Sequence, residues 1–435
     1  MSRESINVFW FRRDLRLEDN RGLSEALQGS LPVLPIFIFD QNILKGLPPD
    51  DARVTFIFDR LMAMRKILKE EYGSSLAMFH GTPESVFSEL LEDFEIEAVF
   101  ANHDYEPYAE KRDDQVNELF EEEYIEFRTF KDQVIFERKD IVKEDGDPYL
   151  VYTPYMKKWK SSLKDKDLKQ QEIARFGDNF HKIDHVPELT LKEIGFKTSS
   201  IKVPEYDISK SLIANYGEER DYPSKDATSH LGPHLRFGTI SIRLLCQKAM
   251  DERDETFLEE LIWREFFMQL LWHFPKTVND SFKKKYDRIE WRNNEEEFKA
   301  WCEGRTGYPL VDAGMRQLNE TGYMHNRIRM VTGSFLCKHL LIDWRWGEAY
   351  FAEKLLDYDM SSNIGNWQWV AGCGADAAPY FRIFNPTTQI TKFDKDHQYI
   401  KTWVKDLNEL TYPDPIVDHK TARERCLEEY GKVNE

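Results

Sequence analysis

The sequence predicts a two-part protein: an α/β N-terminal domain on a parallel, Rossmann-like sheet, then a large all-α domain. Two observations carry this. Between residues 5 and 130 short apolar runs alternate with amphipathic stretches, the pattern of βαβ units. From Ser209 onward the apolar residues recur with helical period, and no convincing alternating strand appears. A chain of 435 residues suits two or three domains. The expected boundaries are 1–132 for the α/β domain, 133–205 for an interdomain linker and 206–435 for the helical domain.

In order, the expected strands are Ile6–Phe11, Val33–Phe39, Leu76–Phe79, Ala98–Ala101 and Ile125–Phe130. The amphipathic stretches Val54–Glu70, Pro83–Phe94 and Tyr108–Glu122 lie between them. A dinucleotide site would require G-x-G-x-x-G after the first strand. The chain instead has FRRDLRLEDN at 11–20, which excludes that reading and leaves a charged string whose simplest use is a solvated loop. Residues 131–205 lose the alternation, carry Pro148, Pro154, Pro187 and Pro204, and read as a connection running over the surface. Their cluster Lys157-Lys158-Trp159-Lys160 reads as a solvated face, with nucleic-acid contact as the alternative.

In the helical half, the segment from Thr228 through Ser229, Leu231 and Gly232 reads as an N-cap and helix start. Free N–H groups there suit an anion, although capping alone is the commoner use. Glu260, Trp263, Arg264 and Phe267 recur at i, i+3, i+4 and i+7 and share one helical face. Asn326 and Met330 share another, and Arg329, one turn from Asn326, has an available opposite charge in Asp357. The densest string is DYDMSSNIGNWQWVAGCGADAAPYFRIFNP at 357–386. Asp357, Asp359, Asn363, Trp367 and Trp369 supply acceptors, an amide and indoles, and the small residues after them permit close approach. This suits a planar, hydrogen-bonding cofactor. Read as packing alone, it is a helix end with two capping aspartates and two core tryptophans.

The whole string resembles the flavin-binding segment of the DNA photolyase/cryptochrome family, in its class I cyclobutane-dimer photolyase form. Trp10–Leu17 resembles the string this family carries after its first strand. The resemblance implies FAD in the helical domain, with Tyr216, Thr228, Ser229, Leu231 and Gly232 at the diphosphate. Arg264, Asn326, Asp359 and Asn363 would line the flavin with Glu260, and the Arg329–Asp357 pair would abut its ring. It implies a lesion pocket of Glu260, Trp263, Asn326, Met330 and Trp369, and an electron row of Trp291, Trp344 and Trp367 feeding the flavin. The catalytic set would be that row with Asn363 and Glu260. In relatives that repair (6-4) photoproducts, two histidines occupy the places of Asn326 and Met330, so the resemblance implies cyclobutane pyrimidine dimers as the substrate. The (6-4) enzyme and a cryptochrome-type blue-light receptor are the alternatives. Asn102–Asp113 resembles the region that contacts a light-harvesting antenna. Tyr108 and Ala109 stand where a folate-binding pair would, which speaks against folate, and Glu106-Pro107-Tyr108 with Asp40 resembles relatives that hold a deazaflavin. An ordinary helix with no antenna remains open.

The net charge of −18 disfavours indiscriminate nucleic-acid binding. DNA binding then requires a local basic groove, for which Arg327, Arg329, Lys338, Arg345 and Arg382 are the candidates. The five cysteines form no C-x-x-C pair, and no hydrolytic nucleophile or metal cluster stands out. With no apolar run able to span a bilayer and no signal-peptide layout, the expectation is a cytoplasmic monomer acting on DNA.

Overall fold

The structure is a computed structural model that describes residues 3–182 and 187–433. Residues 183–186 of the expected linker, and the extreme ends of the first and last expected domains, lie outside the described residues. The chain forms two compact units, each assembled from three stretches. The first comprises Met1–Glu137, Leu163–Glu205 and Leu231–Lys248, and the second comprises Arg138–Ser162, Tyr206–His230 and Ala249–Glu435. The chain changes unit after 137 and after 205, where the expected boundaries stood at 132 and 205. The returns after 162, 230 and 248 leave no signal in composition.

The first unit holds a five-stranded, fully parallel sheet in the order β3-β2-β1-β4-β5. Its strands are β1 (Glu4–Phe11), β2 (Val33–Asp40), β3 (Ala77–Gly81), β4 (Phe94–Asn102) and β5 (Glu126–Phe130). The crossover helices are α1 (Arg21–Leu27), α2 (Gln41–Leu44), α3 (Ala52–Tyr72), α4 (Pro83–Asp93) and α5 (Pro107–Glu122). β1 and β2 are buried over nearly their whole length, as expected of strands covered on both faces. β4 begins four residues before the expected strand because Glu95 and Glu97 alternate with Ile96, which hides an apolar run.

The string after β1 is not a solvated loop. Arg12 pairs with Asp113, Arg13 with Asp104 and Glu106, and Arg16 with Asp132, nearly all of them buried. Asp132 also accepts from Arg243, which binds Asp19. These buried arginines each find an opposite partner, without which their desolvation would be very costly, while buried Asp14 accepts instead from Arg12 N and the side-chain amides of Asn20 and Asn102.

Beyond the sheet come α6 (Tyr152–Ser162), α7 (Lys210–Glu219), α8 (Leu231–Arg236), α9 (Ile242–Met250), α10 (Thr256–His273) and α11 (Glu295–Cys302). They are followed by α12 (Pro309–Thr321), α13 (Asn326–Ser334), α14 (Trp344–Lys354), α15 (Met360–Ala371), α16 (Pro386–Phe393), α17 (Gln398–Trp403) and α18 (His419–Lys432). A π-helical turn, Phe335–His339, continues α13. The core of the second unit gathers Trp301, Trp344, Trp367, Phe335 and Tyr430. α6 lies inside the expected linker. Its Tyr152, Tyr155 and Trp159 are buried, and Trp159 donates to Glu265 of α10 at 2.5 Å. Lys160 bonds Glu255 and Glu259, so its charge is spent within the protein.

Candidate functional site

The second unit builds its site around α15. Asp359 caps that helix, accepting from Ser362 N at 3.2 Å, and Gly372 ends it in the left-handed region with φ +85°. Asp359, Asn363 and Trp367 fall at i, i+4 and i+8, so one stripe carries a carboxylate, an amide and an indole. Gln368 points elsewhere and pins the 277–282 loop, donating to the carbonyls of Thr277 and Asp280 and accepting from Phe282 N. The alternation inside Trp-Gln-Trp is thus two uses of one helix: a buried indole and an anchor for a neighbouring loop.

Asn363 donates its amide N–H to the Glu348 carbonyl at 3.1 Å and to the Glu348 carboxylate at 2.9 Å. Burial pushes the Glu348 carboxyl above its ordinary value. The orientation leaves the Asn363 amide oxygen without a hydrogen-bond partner among the described residues. A nearly buried, unused acceptor fits a flavin ring N–H. Arg329 makes the expected pair with Asp357 in two-pronged form, at 3.1 and 2.8 Å, and its Nε donates to the Met324 carbonyl. Asp357 raises the Arg329 guanidinium pKa against the opposing effect of burial. The donor set therefore fits FAD: a fixed cation–carboxylate pair, a capping carboxylate and a free amide acceptor.

Nearby, Thr228 shares a hydrogen bond with the Tyr323 hydroxyl at 3.0 Å. Ser229 is buried, and its hydroxyl has no partner among the described residues. Tyr216 packs edge-on to Phe257 at 5.1 Å under the guanidinium of Arg220. Leu231 and Gly232 open α8 as expected, but this short helix belongs to the first unit.

On α10, Glu260, Trp263 and Arg264 are all half-buried. Glu260 forms an ion pair with Arg220, a residue the sequence reading missed. The available signal was an arginine one helical turn after Tyr216. Trp263 stacks flat on Tyr152, with ring centroids 3.6 Å apart and an interplanar angle of 8°. Tyr152 was missed because it lies in the supposed linker. On α13, Asn326 is exposed and Met330 half-buried, with an Arg327 N–H 3.9 Å from the Met330 sulfur. His325 caps α13, and burial lowers its pKa to about 4.

The segments that carry the three expected row tryptophans are tied to their surroundings by backbone contacts. Trp344 begins α14, and one turn later Gly347 lies against the Trp367 indole so tightly that a Cβ would sit 2.1 Å from its ring. Arg292 N donates to the Leu341 carbonyl and Asp343 N to the Asn293 side chain, which pins the stretch after Trp291 beside the entry to Trp344. Trp291 is partly buried, whereas Trp344 and Trp367 are buried. The indole N–H of Trp344 has no acceptor among the described residues.

The expected basic groove needs correction. Arg327 is paired with Asp221 at 2.7 Å, Arg329 with Asp357, and Arg345 with Asp287 and Asp343. Lys338 is buried and cannot reach DNA. Arg382 alone of the five is exposed with no carboxylate partner among the described residues, lying over Trp369 at 5.9 Å and Phe384 at 5.4 Å. Sequence shows where charges stand but not which carboxylates neutralise them.

Residues 7–174 match the family model described as DNA photolyase, and residues 257–411 match the FAD binding domain of DNA photolyase. The chain is 38% identical to a deoxyribodipyrimidine photo-lyase of Halobacterium salinarum, over 97% of this chain and 98% of that protein. Among solved structures it resembles a class III photolyase from Agrobacterium tumefaciens with a TM-score of 0.88 and 33% identity, covering 100% of this chain and 98% of the other. It also resembles an archaeal photolyase from Sulfolobus tokodaii, solved with two FAD molecules, with a TM-score of 0.82, 34% identity and coverage of 99% and 100%.

Proposed function

The chain belongs to the DNA photolyase family, and we propose that it is a deoxyribodipyrimidine photo-lyase that splits cyclobutane pyrimidine dimers in DNA under blue or near-UV light. The observation that carries this is the α15 stripe, where Asp359, Asn363 and Trp367 line up beside the Arg329–Asp357 pair. FAD, when bound in reduced form, supplies a light-released electron that the split dimer returns. Asp357, Arg329, Asp359 and Asn363 would hold the flavin ring, and Tyr216, Thr228 and Ser229 would serve its phosphate side. The Asn363 oxygen, left free by the bond of its amide N–H to Glu348, would accept from a ring N–H and so favour the reduced cofactor.

The chain's remaining residues handle the substrate and the supply of electrons. Trp263, braced flat by Tyr152, offers a stacking surface to an extruded dimer. Glu260 exchanges Arg220 for the pyrimidine edges, and Arg220 is then free for phosphate. Asn326 and Met330 complete the pocket without a proton relay. The one histidine in that string, His325, stays neutral near physiological pH and is used as a helix cap. Trp291, Trp344 and Trp367 pass electrons inward. Because the Trp344 indole N–H has no acceptor among the described residues, an electron leaves it without its proton. The setting is the cytoplasm, with the protein acting as a monomer; no helix among the described residues is long and apolar enough to cross a membrane.

The test uses FAD-loaded protein, a thymine-dimer oligonucleotide, and light or darkness. Dimers should disappear only in light. Trp367→Phe should block light-driven reduction of oxidised FAD yet repair normally once its flavin is reduced chemically. Dimers that persist in light with reduced flavin would refute the function, and wild-type photoreduction in the variant would refute the row.

A further inference from the structure

Lys338 is buried at 1% exposure in the π-helical turn Phe335–His339, where no packing need calls for a charge. It forms no salt bridge among the described residues. Its ammonium donates to two backbone carbonyls, Ala371 O at 2.9 Å and Tyr380 O at 3.2 Å, and lies 3.8 Å from the Tyr430 ring centroid. A methionine would fill similar space without the cost of burying a cation. What the ammonium adds is the joining of two points on the chain.

Those points are the ends of one loop. Ala371 closes α15, where the carbonyl end of the helix favours a cation. Tyr430 reinforces the same carbonyl with its hydroxyl at 2.7 Å, and its ring lies parallel to Tyr380 with centroids 6.0 Å apart. Gly372 makes room for the clamp, since a Cβ there would stand 3.3 Å from the ammonium. Just outside the clamp are Trp369 on the helix side and Arg382 on the other. Arg382 N binds Pro379 O at 2.8 Å, and its guanidinium lies over Trp369. The placement against that indole of Arg382, the one groove candidate that is exposed with no carboxylate partner among the described residues, thus depends on a loop whose ends Lys338 ties together.

We propose that Lys338 is a positioning residue for DNA binding: its ammonium, with Tyr430, locks residues 371–380 so that Arg382 is presented beside Trp369. The proposal rests on the reading of Trp369 and Arg382 as DNA contacts. The test is a double-mutant cycle on FAD-loaded protein with Lys338→Met, Arg382→Ala and the pair, measuring affinity for a thymine-dimer duplex across a salt series. FAD stoichiometry and the rate of flavin photoreduction are measured on the same samples. Lys338→Met should weaken binding about tenfold, with the salt slope flattened by about one contact, as for Arg382→Ala. The double variant should bind no worse than Arg382→Ala alone, and FAD content and photoreduction should stay at wild-type values. Unchanged affinity in Lys338→Met, losses that add in the pair, or loss of FAD together with DNA binding would each overturn the proposal. If Lys338→Met does not accumulate, Tyr430→Phe removes only the hydroxyl bond to Ala371 and is read the same way, wild-type affinity again counting against the clamp. If Arg382→Ala itself changes neither affinity nor slope, the DNA-contact reading fails and the clamp loses its purpose with it.

Discussion

Replacing Gly347 by alanine adds one methyl group against the indole of Trp367, the innermost member of the proposed electron row. The new carbon would stand 2.1 and 2.5 Å from two atoms of the Trp367 six-membered ring and 2.6 Å from Leu336. Ordinary contact needs roughly 3.5 Å or more, so α14 and the indole must part by about an ångström. Trp367 cannot simply turn away, because Phe351 and Trp301 pack edge-on against it with centroids 5.0 and 6.2 Å distant. Overpacking of this kind costs about 1–3 kcal/mol, and alanine returns about 1 kcal/mol through helix propensity. The expected outcome is a modestly lower melting temperature and markedly slower photoreduction of oxidised FAD, with dimer repair retained once the flavin is reduced chemically. Gly333→Ala is the control. Its Cβ would meet Trp367 at an ordinary 3.6 Å and press on a Val370 methyl at 3.2 Å, which must yield by a few tenths of an ångström, so photoreduction should hold with at most a small change in stability. Wild-type photoreduction in Gly347→Ala, or an equal loss in Gly333→Ala, would refute the argument that this contact sets the row.

Three further outcomes follow from the geometry. Tyr152→Leu removes the flat stack on Trp263, worth about 0.5–1.5 kcal/mol, and should weaken dimer binding by about three- to tenfold with FAD retained, read by titration with fluorescent duplex. His325 has its pKa lowered to about 4 by burial, from an ordinary 6.5. Between those values the unfolded chain takes up a proton that the folded one refuses, so stability falls as pH falls through that window, by up to about 3 kcal/mol. His325→Asn keeps the cap but removes the titration, so urea unfolding from pH 7 to 4 should show a shallower loss. His339, lowered to about 3, accounts for part of what remains. In the first unit Tyr108 donates to Asp40 at 2.5 Å and Ala109 is buried, so the purified protein should carry FAD without stoichiometric folate; mass spectrometry finding one folate per chain would overturn the preference for a deazaflavin-like antenna.

The sheet was legible because β1 and β2 are nearly continuous apolar runs. The edges were not: Glu95 and Glu97 masked the start of β4, where polar side chains alternate outward. The Arg329–Asp357 pair was legible as opposite charges, and the residues of the α15 stripe through the resemblance of the whole 357–386 string to a flavin-binding segment. The Arg220–Glu260 pair, 40 residues apart in sequence, could not, since only folding decides which of many carboxylates meets an arginine. The same limit made the basic groove look richer than it is. α6 was hidden by prolines and lysines around a perfectly ordinary apolar face of Tyr152, Tyr155 and Trp159. Gly347 carried no motif at all, because its role is to be absent where Trp367 needs space.

The choice of lesion tests the account most directly. Repair of a (6-4) product moves a hydroxyl group and requires proton transfer, for which histidine suits neutral pH. Asn326 and Met330 offer an amide and a thioether, and neither relays protons. Chemically reduced protein is illuminated with oligonucleotides bearing each lesion, and restored thymines are quantified by chromatography. The account expects restoration from the cyclobutane dimer and none from the (6-4) product. Restoration from the (6-4) substrate, or none from the cyclobutane one, would contradict it.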